Sequence, residues 1–222
     1  MGSIWKTLGA VAVLGMAGQA YADEDVGKFD VGPSIGTLGI GLEGGYRATD
    51  YLGVRAGFNM FSLNVKTNSS GINYSTDINL ATVGSTVDLY PFAHASNGSG
   101  FRVSAGLKWD GNEAKVNATP ANTVVVGNTA YAPAAIGTIN GKLTFNPVAP
   151  YLGVGYSGRI FDSVYLAFDA GAIYQGSAKV SLSSTSGLIS QADLDAEKSK
   201  IKSKLDLLQF YPVAMVSAKY RF

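Results

Sequence analysis

The residues best suited to chemistry are charged side chains that recur at every second position of several segments. In Phe101–Asp110, for example, Arg102, Lys108 and Asp110 alternate with apolar residues. Charges of both signs on one face can bind the charged groups of a small solute, or they can pair with one another, and the sequence leaves both alternatives open. The charged face comprises Glu43, Arg47, Arg55, Asp88, Arg102, Lys108, Asp110, Asp169, Lys219 and Arg221, with Asp30 as a further candidate.

A second candidate chemistry involves the single histidine. His94-Ala95-Ser96-Asn97 resembles the His-x-Ser-Asn stretch of lipid A deacylase barrels. Such an enzyme needs its nucleophile and base on a lipid-exposed face near the outer leaflet, with a carboxylate that orients the base. The small polar residues around His94 are instead typical of a short turn. We therefore predict that the chain is not an enzyme.

The composition excludes several other function classes. The 222 residues contain no cysteine and one histidine, so we expect no disulfide, no thiolate nucleophile, no His/Cys metal site and no cofactor. A formal net charge of +1 gives no extended field for nucleic acid. With 46% hydrophobic residues, 28 glycines and 12 tyrosines, the composition is typical of a folded β-rich domain.

The charged positions lie on segments with a two-residue period, which predicts β-strands. In each segment the apolar residues occupy one parity and the charged residues the other. The eight predicted strands are Phe29–Ile35, Leu38–Arg47, Leu52–Met60, Asp77–Tyr90, Phe101–Asp110, Val148–Ser157, Val164–Gln175 and Phe210–Phe222.

Alternation of this kind also occurs in soluble β-sandwiches, where the apolar face is inside. Two features favour the inverted arrangement of a membrane barrel. The charged face is rich in glycine and serine, which suits a crowded interior. Aromatic residues at strand ends on the apolar face can form the girdles that mark a lipid–water interface. These aromatic residues are Tyr46, Trp109, Tyr156, Tyr174, Phe210, Tyr220 and Phe222.

The connections between strands alternate between short and long. The long ones cover residues 63–75, 111–144 and 176–207, and they look like protruding hairpins with turns at Asn68–Gly71 and Gly127-Asn128. Outer-membrane barrels combine short periplasmic turns with long external loops. We therefore predict an all-β fold, an eight-stranded antiparallel transmembrane β-barrel with long extracellular loops and one short loop helix.

The loop helix is predicted over about residues 191–207. Ser190 with Asp193 three residues later is an N-terminal capping pattern. Acidic residues precede lysines along the segment, which complements the helix dipole. Leu194, Ile201 and Leu205 form a narrow apolar stripe. The helix is either a lid on the barrel rim or a docking surface for a partner protein or lipopolysaccharide.

Residues 1–22 have the pattern of a secretory signal peptide. Lys6 precedes an apolar run from Leu8 to Met16, and Ala20-Tyr21-Ala22 forms a small-residue cleavage site. The apolar run is too short to cross ~30 Å of hydrocarbon as a helix. We therefore expect export, a barrel domain over residues 23–222 and a location in the bacterial outer membrane, with lipid and lipopolysaccharide around it.

Several stretches of the second half carry a resemblance to a known family. Val148–Tyr156, Tyr174–Leu182, Gly141–Asn146 and Tyr211–Val213 resemble CarO-type porins, eight-stranded outer-membrane proteins of Gram-negative bacteria associated with ornithine and carbapenem uptake. The terminal alternation ending at Phe222 resembles the last strand of Gram-negative barrels, which implies recognition by the barrel-assembly machinery.

The resemblance implies a small porin-like barrel for passive uptake of small amino-acid-like solutes, with a channel that can be closed at rest. The alternative that the residues leave open is a non-conducting structural or docking barrel that binds a partner protein or lipopolysaccharide.

The predicted export can be tested directly. The mature protein should begin at Asp23 and fractionate with outer membranes, because a closed barrel satisfies its backbone hydrogen bonds in lipid. N-terminal sequencing and gel mobility before and after boiling measure both points. Recovery of unheated protein in the soluble periplasmic fraction would contradict the prediction.

Overall fold

The computed structural model describes residues 27–92 and 99–222, so the predicted signal peptide and His94 lie outside the described residues. The elements in chain order are β1 (Phe29–Gly36), β2 (Gly39–Arg47), β3 (Leu52–Ser69), β4 (Ile72–Leu89), β5 (Gly100–Asp110), β6 (Glu113–Pro120), β7 (Val124–Val126), β8 (Thr129–Tyr131), α1 (Pro133–Ile136), β9 (Ile139–Thr144), β10 (Val148–Phe161), β11 (Val164–Tyr174), β12 (Lys179–Ser184), α2 (Gln191–Lys204), a 3-10 turn (Asp206–Gln209) and β13 (Phe210–Arg221).

Eight of these strands close into an antiparallel barrel. Within the described part of the chain, the wall runs β4-β3-β2-β1-β13-β11-β10-β5, and β5 pairs again with β4. Val31 lies opposite Tyr220 where the first and last strands meet, and Val87 lies opposite Ala105 where β4 meets β5. Each wall strand is therefore paired on both sides, which lipid requires of a spanning sheet. The predicted eight-stranded barrel is confirmed.

The two faces of the wall have opposite polarity. On the outside, Leu107 and Val154 are 46% and 44% exposed. On the inside, Arg102 and Asp88 are 2% and 0% exposed. Exposed apolar residues around buried charges are the reverse of a soluble protein and match a barrel that faces lipid. Among the described residues, no helix is long and apolar enough to cross a membrane.

The long connections are largely strands, and the two hairpin turns predicted at Asn68–Gly71 and Gly127-Asn128 are confirmed. β3 and β4 are 18 residues long and continue beyond the barrel wall. There β6 pairs with β4, β9 with β6 and β12 with β9. The result is a five-stranded sheet that prolongs one side of the barrel, on the side opposite the chain termini. We call this sheet, with the β7–β8 hairpin, α1 and α2, the extracellular extension.

The helix α2 belongs to this extension. Ser190 caps it by accepting a hydrogen bond from the Asp193 backbone N–H at 3.1 Å. It ends at Lys204, earlier than predicted, and the 3-10 turn follows. Leu194 is buried among Val126, Ile136 and Ile189. This second apolar cluster attaches α2 to the extension.

The lipid-facing assignment predicts the outcome of a substitution at Leu107. Leu107→Arg should hinder assembly, because a cation on the lipid face costs about 2 to 4 kcal/mol near the midplane. Leu107→Met is the matched control and should assemble normally. The measurement is the folded fraction on unheated gels after refolding into lipid. Equal assembly of the two variants would mean that the inside and outside of the wall are reversed.

Candidate functional site

The barrel interior is held together by ion pairs centred on Arg55. Its guanidinium forms a bidentate ion pair with Asp88, in which Nε donates to Oδ2 and Nη2 donates to Oδ1 at 2.9 Å. Nη1 lies 3.0 Å from Glu43 Oε1, and Nη2 lies 3.3 Å from Asp169 Oδ1 and 3.0 Å from Ser104 Oγ. One arginine therefore joins carboxylates from three other strands.

The network continues from Arg55 to the far side of the lumen. Arg102 Nη2 donates to both oxygens of Asp169 at 2.8 and 2.7 Å. Ser104 donates to Asp88 at 2.6 Å. A Cβ at Gly155 on β10 would lie 2.6 Å from Asp169 Oδ1. A side chain at this position would therefore collide with the Arg102–Asp169 ion pair.

A second branch runs toward the periplasmic end. Lys219 Nζ lies 2.5 Å from Glu43 Oε1 and 3.2 Å from Asp30 Oδ1. Asp30 also pairs with Arg221 at 3.5 Å, and the Arg221 guanidinium lies 4.0 Å from the ring centre of Tyr165. Seven of the eight wall strands thus contribute to one connected network.

This network is electrically neutral. Its cations are Arg55, Arg102, Lys219 and Arg221, and its anions are Asp30, Glu43, Asp88 and Asp169. All ten charged positions in the predicted set face the barrel interior, and seven of them, with Asp30, join the network. Removal of one partner leaves an uncompensated buried charge, so the network is expected to resist opening.

Three predicted lumen charges lie outside the network. Arg47 is at the periplasmic rim, where Nη2 donates to the Asp50 carbonyl at 2.7 Å and the guanidinium lies 3.7 Å from the Tyr90 ring centre. Lys108 and Asp110 lie on β5 toward the extracellular end. Neither forms an ion pair within 4.0 Å among the described residues.

The sequence analysis missed an apolar plug above the network. Leu38, Tyr151, Ile173 and Val213 are each at most 5% exposed and pack together with Ala149 inside the extracellular end of the barrel. Tyr151, Ile173 and Val213 occupy inward positions that had been assigned to a polar face. Leu38 had been assigned to the apolar, lipid-facing side of its predicted strand, and this was wrong, because β2 begins at Gly39 and Leu38 lies in the preceding turn with its side chain 2% exposed. A signal was present, because residues 210–216 are apolar at both parities, which predicts burial on both sides of the strand.

The plug residue Leu38 sits on the short β1–β2 turn, and that turn is fixed to β13. Thr37 N–H donates to the Ala214 carbonyl at 3.0 Å, and Ala214 N–H donates to Thr37 Oγ1 at 3.0 Å. Tyr211 donates to the Thr37 carbonyl at 2.6 Å. These bonds hold the Leu38 side chain in the lumen.

Little space remains between the plug and the network. A cavity of about 30 Å³ lies among Leu38, Tyr151, Arg55, Lys108 and Ser217. That volume suffices for one or two water molecules. At this level the side chains of the plug and the network fill most of the barrel interior.

The predicted interface aromatics lie on the outer surface at both ends of the wall. Tyr174 and Phe210 have ring centres 5.1 Å apart at the extracellular end, and Tyr220 and Phe222 are 6.4 Å apart at the other. The exposed fractions are Tyr46 37%, Trp109 52%, Tyr156 53%, Tyr174 44%, Phe210 61%, Tyr220 55% and Phe222 64%. These positions fit an interfacial role, which stays a prediction.

In residues 27–92 and 99–222 no group of three or more His, Cys, Asp or Glu side chains is placed to hold a metal ion. The deacylase-like stretch at His94 lies outside the described residues.

The extension carries one further polar centre, where Asp193 of α2 binds the β7–β8 hairpin. Its carboxylate accepts from Asn128 N–H at 3.1 Å and from Tyr131 OH at 2.8 Å. The Asn128 backbone bond, with those from Tyr131 and Ser190, lowers the pKa of Asp193 to about 2.

Removal of the central arginine should destabilise the barrel. Arg55→Met takes one partner from two buried carboxylates, Asp88 and Asp169, and from the partly buried Glu43, and we expect a loss of about 3 to 5 kcal/mol in the free energy of unfolding. Urea unfolding in detergent measures it. Arg159→Met, an exposed position on β10, is the control. Equal stability of the two variants would show that the ion pairs do not support the lumen.

The Asp193 contacts predict a pH dependence of helix attachment. The folded pKa of about 2 lies below the unfolded value of about 3.9, so the stabilisation is present above about pH 4 and is lost as pH falls through 2. At neutral pH, Asp193→Asn should speed hydrogen exchange of α2 amides. Asp195→Asn, whose partners lie within the helix, should not. An Asp193 pKa near 4 by NMR would contradict the account.

No protein-family model and no curated protein sequence matches this chain. Two crystal structures match its fold. Acinetobacter baumannii CarO2 has a TM-score of 0.62 and 21% identity, with 89% of this chain and 100% of that chain covered. Acinetobacter baumannii CarO has a TM-score of 0.61 and 22% identity, with 90% and 100% covered.

These matches span the barrel and the extension together. At this level of identity they show the fold. They support the location in the bacterial outer membrane that the signal segment and the lipid-facing wall predict. The chain has the fold of a CarO-type outer-membrane β-barrel.

Proposed function

We propose that this outer-membrane barrel takes up small amino-acid-like solutes and is closed when no solute is present. The observation that carries the proposal is the pair of lumen charges outside the neutral network. Asp110 is buried toward the extracellular end of the lumen, and Lys108, of opposite sign and on the same face of β5, borders the small cavity between the plug and the network. A buried charge without a partner is costly, and a solute that pairs with it offsets that cost.

The closed resting state follows from two layers of side chains inside the barrel, the apolar plug and the ion-pair network. The apolar plug blocks water and ions, and the ion-pair network fills the midsection. Passage of a solute therefore requires the plug to move and some ion pairs to exchange partners. Charged groups on the solute can replace the bonds that are broken.

A second candidate function, docking of a partner, is favoured by the extension. Phe61, Leu63 and Val65 of β3 are 43%, 42% and 41% exposed. They alternate on one face of a strand segment that has a pairing partner only on its β4 side. Exposed apolar residues on an unpaired edge suit strand addition by another protein. This function requires no conduction.

The remaining expectations concern chemistry and partners. We propose no enzymatic activity, since the lumen charges that could act as acids or bases are mostly held in ion pairs. Lipopolysaccharide around the extension and the barrel-assembly machinery at β13 are proposed partners, as is a protein at α2.

The uptake proposal is tested by liposome swelling in glycine, ornithine and glutamate. Leu38→Ala shortens the plug and should raise the glycine rate several-fold over wild type, because the constriction widens. Ile40→Ala, on the lipid side of the same hairpin and 60% exposed, should leave the rate unchanged. If wild type and Leu38→Ala both swell no faster than protein-free liposomes, uptake is wrong and docking becomes the better account.

A further inference from the structure

We infer that the outer face of the extracellular extension binds the phosphorylated sugar headgroup of lipopolysaccharide. This face is formed by the outward side chains of β3, β4, β6, β9 and β12, and it continues the lipid-facing side of the wall. The inference rests on lipopolysaccharide as a proposed partner and assigns the surface that contacts it. It does not depend on solute uptake.

The first argument is continuity with the lipid-facing wall. β3 and β4 pair without a register shift along all 18 residues of each strand, so every second side chain of β4 stays on one face. Val83 is 41% exposed on the lipid side and lies opposite Trp109, a predicted interface aromatic. Asn79 is on the same face about 13 Å further along β4, and it pairs with Glu113 of β6. The face therefore passes from the hydrocarbon into the headgroup layer of the outer leaflet.

The second argument is a pair of lysines at that level. Lys115 of β6 lies directly opposite Lys142 of β9, where like charges repel. Glu113 bridges the two, with Oε1 2.6 Å from Lys115 Nζ and Oε2 paired with Lys142. The lysine side chains stay 51% and 49% exposed, so each ammonium keeps donors for a further anion. A phosphate group can accept from both.

The positive charge extends across the sheet. Lys179 of β12 lies opposite Thr144, which is itself the partner of Glu113. We call Lys115, Lys142 and Lys179 the lysine patch. Four lysines and two carboxylates occupy the outer face, which gives it an excess of two positive charges and attracts anionic headgroups. The six residues are Lys66, Asp77, Glu113, Lys115, Lys142 and Lys179.

The third argument is a polar groove on the same face, further from the membrane. Its volume is about 420 Å³. Amide and hydroxyl groups in its lining can both donate and accept hydrogen bonds, which suits the hydroxyl groups of a sugar. The outward residues of the groove are Lys66, Asn68, Asn73, Ser75, Asn117 and Thr119.

The order of these features matches lipopolysaccharide. From the membrane outward, that molecule consists of acyl chains, a phosphorylated disaccharide and further sugars. The protein presents the apolar wall, the lysine patch and the polar groove in the same order. A phospholipid would reach only the wall and the patch, and a soluble anion only the patch. Lipopolysaccharide is therefore the occupant that uses the whole face.

Native mass spectrometry of the mature protein in detergent, titrated with lipopolysaccharide that carries a short sugar core, measures the binding. Wild type should bind it at least tenfold more tightly than the same molecule without its phosphates, because each lysine–phosphate contact is a charge-assisted hydrogen bond. Phosphatidylglycerol should bind as weakly as the dephosphorylated form. Added salt should weaken the binding, since exposed charges are screened within ~8 Å at physiological ionic strength.

Two sets of variants should shift the affinity in opposite directions. Lys115→Gln with Lys142→Gln should weaken binding at least tenfold. Glu113→Gln should strengthen it, because Glu113 competes with phosphate for both lysines. A structural role of the ion pairs would not produce opposite signs. Lys198→Gln with Lys202→Gln is the charge-matched control on α2, which packs on the inner face of the extension, and should bind like wild type.

Three results would overturn the inference. They are equal binding of intact and dephosphorylated lipopolysaccharide, equal binding of phosphatidylglycerol, and undiminished binding by the double lysine variant. The last result, with tight binding by wild type, would keep lipopolysaccharide as a partner and move it to another surface. Solute uptake is decided separately, by swelling of liposomes that contain no lipopolysaccharide.

Discussion

An eight-stranded wall leaves an interior only wide enough for its own side chains, so a charge that faces inward has to find its partner on another strand. Arg55 meets this constraint by bonding to Glu43, Asp88 and Asp169 at once. The filled midsection and the glycine on β10 beside the Arg102–Asp169 pair follow from that arrangement. A lumen filled in this way conducts only if its ion pairs exchange partners.

The same strands meet two solvents along their length. Trp109 is exposed on the outside of β5, and Glu113, which pairs with Lys115 and Lys142, follows on the same side of the sheet at the start of β6. Apolar residues of the extension face the other way, where Leu182 and Ile139 pack against the cluster around Leu194. The reversal of polarity marks where lipid gives way to water, and it lets one continuous sheet serve as membrane wall and as scaffold for loops.

The two-residue period predicted the eight wall strands and the side of the wall that their charged residues face, because alternation is a local property. It placed Leu38 on the wrong side, because that residue lies in the turn before β2 and not in the strand. It could not predict which charges meet, since Arg55 and Asp169 are 114 positions apart and on non-adjacent strands. The neutral network and the isolation of Lys108 and Asp110 are therefore structural findings. The burial of Tyr151 and Ile173 inside the barrel was not predicted, because both are apolar residues on a strand face whose charged residues marked it as polar. The protruding hairpins of the extension were predicted from their turn residues, but their joining into one sheet was not, because β6, β9 and β12 pair across long stretches of sequence.

The central claim is that ion pairs and a plug close this outer-membrane barrel at rest. Conductance of the purified wild-type barrel in a planar lipid bilayer, in potassium chloride at neutral pH and without organic solute, tests it most directly. The account predicts a bilayer that stays at baseline current after insertion, with insertion verified by protease protection of the barrel. A steady ohmic current from each inserted barrel would show an open lumen and contradict the account.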